Sequence, residues 1–228
     1  MAQLIQHIEL ATGAEPRGSV IWMHGLGADC WDFVPIVKEL NLPEGLPLRF
    51  IFPQAPTRPI TINGGNEMPG WYDIAMNELE RKPDEAGIRE SQLAIDALIE
   101  REISRDVAAD KIILAGFSQG GAVALQTGLR SKHALGGVMA LSTYLTLGDS
   151  LASEKNIANA NIPILMVHGT QDPVIPLSLA QSSRAALTAN GYKVDWREYP
   201  MPHSVCAEEV ELAGEWLEAR FGSRILLA

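Results

Sequence analysis

Cysteine is scarce: Cys30 and Cys206 are the only two in 228 residues. That excludes a disulfide framework, and with no histidine pair beside either one there is no zinc-site spacing. The expectation is two reduced, partly buried thiols, with Cys30 at the mouth of any site built on its loop. Basic residues are also few, 18 Lys and Arg against 28 Asp and Glu, for a formal net charge of −10. Such a surface repels phosphate backbones and anionic lipid, which argues against nucleic-acid or polybasic membrane binding as the main function. No apolar run approaches the roughly 20 residues needed to span a bilayer. The start, Met1-Ala-Gln-Leu-Ile-Gln-His, lacks the basic and apolar regions of a secretory signal, so a cytoplasmic protein is expected. There is no low-complexity tract, repeat or Ser/Gly linker, and 1–228 reads as one domain.

With 46% apolar and 20% charged residues, disorder is excluded. At this length folding hides roughly 70–75% of the unfolded surface. Strand-like apolar runs recur at 20–23, 48–52, 111–115, 137–141, 164–167 and 193–199, with a further strand at 4–10. Several are continuously apolar, as parallel strands covered on both faces must be. Between them, helical spacing marks 88–103, where Ile95, Leu98, Ile99 and Ile103 share a face, then 121–130 and 179–190. A last helix carries Val210, Ala213, Leu217 and Phe221, with Glu208 and Glu209 favouring its N-terminal dipole. Alternating strands and helices predict an α/β sheet with helices on both faces. The stretch 53–87 shows neither period, yet holds Met68, Trp71, Tyr72 and Ile74. It reads as a long loop packed over something.

Gly116-Phe-Ser118-Gln-Gly120 follows a strand and opens a helix. That context describes a tight elbow holding Ser118 Oγ out at the carboxyl edge of the sheet. A serine hydroxyl is a poor nucleophile, so it needs a base, and the base needs a carboxylate. In this topology both should follow Ser118, each on a loop after a strand. Asp172, beyond 164–167, and His203, beyond 193–199, fit. Asp149 is a rival orienter, whereas Asp195 lies within a strand. His7 and His133 read as surface residues, and His168 as a brace for Asp172. A developing oxyanion needs donors. The N–H of Gln119, at a helix start, supplies one, and Leu26 in His24-Gly-Leu-Gly supplies the second, with His24 as scaffold. Met68, Trp71, Ile74, Val174 and Ile175 are candidate walls of an acyl groove.

His24-Gly-Leu-Gly, Pro53-Gln-Ala-Pro, Gly70-Trp-Tyr-Asp, Gly116-Phe-Ser-Gln-Gly-Gly, Leu141-Ser-Thr-Tyr, His168-Gly-x-x-Asp-Pro-Val-Ile-Pro and His203-Ser occur in order. Together they resemble the phospholipase/carboxylesterase family of small α/β-hydrolases, over residues 18 to about 221. The resemblance implies a single-domain α/β-hydrolase without a large lid. It implies ester or thioester hydrolysis by Ser118, Asp172 and His203, an oxyanion hole of Leu26 and Gln119, and no cofactor or metal. The stretch Thr61-Ile-Asn-Gly-Gly-Asn-Glu-Met-Pro looks closer to bacterial carboxylesterases than to eukaryotic thioesterases. The little chain between strands after Ser118 leaves no large helical lid, so short- to medium-chain carboxylic esters are the expected substrates. Acyl-protein thioesterase, lysophospholipase or acyltransferase activity through the same acyl-enzyme are the alternatives. A dienelactone-hydrolase-like lyase would present cysteine at the elbow, and an inactive scaffold would have lost a triad member. The partner is a small acyl ester or thioester, and a homodimer is allowed. The Cys30 position and the tail Arg224-Ile-Leu-Leu-Ala exceed the family pattern.

Overall fold

A computed structural model describes residues 4–76 and 81–222. The tail from Arg224 onward lies outside them. In chain order the strands are β1 (His7–Ala11), β2 (Ser19–Met23), β3 (Arg49–Pro53), β4 (Thr57–Ile60), β5 (Asn66–Pro69), β6 (Ile74–Met76), β7 (Arg81–Pro83), β8 (Ile112–Phe117), β9 (Gly137–Leu141), β10 (Ile164–Gly169) and β11 (Val194–Tyr199). The helices are α1 (Ile36–Glu39), α2 (Glu85–Ser104), α3 (Gln119–Arg130), α4 (Gly148–Glu154), α5 (Leu177–Ala189) and α6 (Ala207–Phe221).

Seven strands form one sheet in the order β1-β3-β2-β8-β9-β10-β11. Only β1 runs antiparallel, pairing with β3, and the other pairs are parallel. Successive side chains of the central strands go to opposite faces. Ile21, Met23, Ile112 and Leu114 enter the layer under α2, α3 and α5, together with Ile95, Leu98 and Leu125. Val20, Trp22, Ile113 and Ala115 enter the layer under α1 and α6, with Ile36, Trp216 and Leu217. Two covered faces explain why these strands read as unbroken apolar runs. The edge strand β11 instead exposes Asp195, Arg197 and Glu198, charges that discourage pairing with another chain.

The stretch read as a loop from 53 to 87 is more ordered than its sequence suggests. It folds into two antiparallel ladders, β4 with β5 and β6 with β7. The strands are three or four residues long and contain Pro59, Pro69 and Pro83, so no alternating period can show. This insert is fastened to α2 at Asp84, whose carboxylate accepts from Gly87 N–H at 3.0 Å and from Asp73 N–H at 2.9 Å. Arg58 reaches Glu90 at 3.0 Å. Asp84 is thus both N-cap and anchor, and Asp84→Ala should cost about 1–2 kcal/mol. A thermal melt lowered by a few degrees is the expected result, and an unchanged midpoint would show the cap to be dispensable.

Candidate active site

Three loops at the carboxyl ends of parallel strands carry the candidate residues, where open α/β sheets place ligands. Ser118 joins β8 to α3 with φ 55° and ψ −120°, a conformation a non-glycine residue adopts only when its surroundings hold it. Those surroundings are tight. A Cβ at Gly116 would lie 2.3 Å from the Gly120 carbonyl, and one at Gly120 would lie 2.3 Å from Met23 O. Ser118 N–H donates to Leu141 O at 2.9 Å, and Thr143 Oγ1 donates to Ser118 O at 2.6 Å. Both glycines are therefore required for the turn, and the turn is clamped from β9.

His203 Nε2 stands 2.9 Å from Ser118 Oγ, and its Nδ1 is 2.6 Å from Asp172 Oδ2. The other oxygen of Asp172 accepts from the N–H groups of Val174 and Ile175, each at 2.8 Å. Burial alone would raise the Asp172 carboxyl. The hydrogen bonds from Ile175, His203 and Val174 outweigh it and hold the group below the usual carboxylate range. The two loops are laced to each other, with Thr170 N–H on Tyr199 O at 2.8 Å and Gln171 N–H on Met201 O at 3.2 Å. The His203 ring also leans on Phe117, with centroids 4.8 Å apart.

A cavity of about 390 Å³ opens beside Ser118. Leu26, Gln119, Ile74, Val174 and Ile175 all line it. Among the described contacts, neither the Leu26 nor the Gln119 backbone N–H has a protein acceptor, and Gln119 begins α3, where such N–H groups are left over. Trp71 and Met68 are not brought to this wall. Trp71 is fully buried, its indole N–H donating to His24 O at 2.8 Å and its backbone N–H to Gln119 Oε1 at 2.7 Å. A large ring with a satisfied N–H belongs to the core, not to a groove. Met68 lies on β5, with its sulfur against Asn63 and near Gly27. Walls that the sequence reading did not name include Asp32, Ile62, Tyr72, Phe117 and Tyr144. Tyr144 follows the carboxyl end of β9, the position that should have marked it.

His24 is a scaffold. Its Nδ1 donates to Gly25 O at 2.7 Å, its Nε2 accepts from Ala55 N–H at 3.1 Å, and burial lowers its pKa. His168 Nε2 donates to Ile175 O at 2.9 Å and is 3.6 Å from Asp172, so it braces the loop of Asp172 rather than the carboxylate itself. Asp149 and Asp195 are exposed on α4 and β11, and His133 pairs with Glu100. Cys30 is buried in the layer under α1 and α6, not at the mouth. Both cysteines are free, and burial foremost pushes both thiols up, which keeps the thiolate fraction small.

Glu209 departs from its sequence reading. It is 1% exposed, because the first turn of α6 points it inward. Burial pushes its carboxyl up to about 8, only partly opposed by the Cys206 N–H. It is therefore largely neutral near pH 7 and contributes little charge to the helix dipole. The folded chain keeps this proton up to about 8, whereas its ordinary value is 4.5. Stability is thus full below 4.5 and falls as pH rises towards 8, by up to about 1.4 kcal/mol per unit. Glu209→Gln should raise the melting midpoint far more at pH 8 than at pH 5; equal shifts at both would assign the effect to packing alone.

Residues 6–220 match the model of the Phospholipase/Carboxylesterase family. The chain belongs to this family. It is a serine hydrolase acting on ester or thioester bonds, built as an α/β-hydrolase. Among curated relatives, acyl-protein thioesterase 1 of Neurospora crassa is 40% identical, over 96% of this chain and 94% of its own. That of Debaryomyces hansenii is 37% identical, over 96% and 98%. The crystal structure of Zea mays acyl-protein thioesterase 2 superposes on this family member with a TM-score of 0.85 at 26% identity, covering 96% of this chain and 100% of that one. The Bacillus cereus carboxylesterase shares the fold, with a TM-score of 0.73 at 16% identity over 96% of each chain. Among the described residues no helix is long and apolar enough to cross a membrane.

Proposed function

We propose that this enzyme hydrolyses carboxylic esters and thioesters through an acyl-enzyme at Ser118. The observation that carries the reading is the unbroken chain Ser118 Oγ–His203 Nε2 at 2.9 Å and His203 Nδ1–Asp172 Oδ2 at 2.6 Å. Ser118 Oγ attacks the acyl carbonyl while neutral His203 takes its proton. The tetrahedral oxyanion turns towards the N–H groups of Leu26 and Gln119. His203 then protonates the departing alkoxide or thiolate, and water repeats the cycle to free the acid. Asp172 fixes the imidazole tautomer and stabilises the imidazolium. Val174 and Ile175 lie two and three residues beyond Asp172, so the loop that orients the base also supplies apolar wall for the acyl group.

Two features bear on the substrate. The short segments between the strands after Ser118 leave no large helical lid, which supports short to medium acyl chains, while the fungal relatives named acyl-protein thioesterase support a thioester leaving group over the bacterial ester preference suggested by residues 61–69. Both enter the same acyl-enzyme. The test compares p-nitrophenyl butyrate with an S-acylated cysteine peptide, after active-site titration with a fluorophosphonate. Labelling should map to Ser118 and abolish both activities together. A labelled enzyme that still cleaves the thioester would overturn the common acyl-enzyme.

A further inference from the structure

A second cavity of about 210 Å³ adjoins the catalytic one. The two share three wall residues, Tyr72, Ile74 and Tyr144. At this shared wall the two tyrosine hydroxyls meet, Tyr72 Oη to Tyr144 Oη at 3.1 Å. The second chamber is otherwise mainly apolar, with Ile88, Leu145, Leu147 and Leu179 among its walls. Its one carboxylate, on Asp73, is occupied by Thr61, whose N–H and Oγ1 donate to it at 2.7 and 2.5 Å. At about 30 Å³ per water molecule, the chamber has the volume of roughly seven waters, enough for several methylenes. A mainly apolar space whose one carboxylate is already hydrogen-bonded suits the far end of an alkyl chain.

We propose that the hydrogen-bonded Tyr72–Tyr144 pair is a length gate on the acyl group, an inference that rests on Ser118 as the acylated residue. Closed, the pair confines the acyl chain to the catalytic cavity. Opened, it admits the end of a longer chain to the second chamber. The two rings come from separate elements, Tyr72 from the insert before α2 and Tyr144 from the loop after β9. The hydroxyl pair thus ties the two elements together at the wall that the cavities share, and losing either hydroxyl breaks that bond. Tyr72 is further set by its carbonyl, which accepts from Gln119 Nε2 at 2.6 Å. The gate therefore stands beside the elbow itself, within reach of an acyl chain on Ser118.

The experiment measures kcat/KM for butanoyl and decanoyl p-nitrophenyl esters with wild type, Tyr72→Phe, Tyr144→Phe and the double variant. The readout is the decanoyl-to-butanoyl ratio within each enzyme, so a general loss of activity cancels. Each methylene that gains apolar burial is worth about fourfold, so two more entering the second chamber raise the ratio about 15-fold. Each single variant should show that rise, and the double variant no more than either, because one tie can be cut only once. Placing Leu179→Trp in the Tyr144→Phe background should fill the chamber and return the ratio to its wild-type value. Ratios unchanged in both single variants, or effects that multiply in the double, overturn the gate. Absence of butanoyl ester turnover by the wild-type enzyme instead overturns the acyl-enzyme reading beneath it.

Discussion

Ser118→Ala is expected to lower kcat for ester hydrolysis by about 10⁵–10⁶-fold, with little change in the thermal midpoint. The kinetic loss follows if Ser118 Oγ is, as proposed, the atom that forms the acyl bond. The fold should persist because the elbow is held by its neighbours: backbone bonds to Leu141 and Thr143, and glycines 116 and 120 packed against carbonyls. The hydrogen bond that Ser118 Oγ makes is to His203 Nε2, so alanine leaves no buried network broken. Residual turnover should be the background that oxyanion binding and substrate positioning supply without a nucleophile. Stopped turnover with an intact melt is the expected pair of results; activity within tenfold of wild type would remove Ser118 from the chemistry.

The second large effect is Asp172→Asn, which should reduce kcat about 10⁴-fold through the tautomer of His203. The geometry dictates how the new amide must sit. One oxygen of Asp172 already accepts two N–H groups, from Val174 and Ile175. An amide NH2 cannot take that place, so the asparagine oxygen keeps it and the NH2 faces His203 Nδ1. Nδ1 must then accept, which moves the imidazole proton to Nε2, the atom that has to receive the serine proton. The loop survives while the base is disarmed. Measured kcat should rise with pH as hydroxide substitutes for the base, and a loss of less than tenfold at neutral pH would show that Asp172 does not set the tautomer.

Where the sheet is concerned, the sequence was a good guide because both faces are covered. The runs at 137–141 and 164–167 fall on β9 and β10, and the others fall within a few residues of their strands. The proposed triad was legible for a related reason: parallel strands leave their carboxyl-end loops for a site, and Asp172 and His203 stand on the loops after β10 and β11, both downstream of the Ser118 elbow. Short elements were not legible. Helix α1 has four residues and α4 seven, too few for a 3.6-residue period to repeat. Trp71 shows a deeper limit, since apolar character announces burial but not which side of a wall is buried. Glu209 shows the converse: a charge letter in a first turn reads as solvated, and only the packing of α6 reveals that it faces inward.

Both N–H groups proposed to meet the oxyanion lie in turns whose spacing is fixed by main chain against main chain. Gly120 sits so close to the carbonyls of Met23 and His24 that a Cβ would come within 2.3 and 2.6 Å of them. The turn after β2, bearing Leu26, is thereby seated directly on the turn that bears Gln119. No side chain donates either hydrogen bond, so alanine at position 26 or 119 leaves both donors in place. Erasing one donor takes a change in the polymer itself: proline at position 26, or an ester linkage in place of that amide. Sequence drift can therefore reshape the walls and the second chamber, and with them the choice of acyl group, while the electrostatics of the reacting centre stay invisible to it.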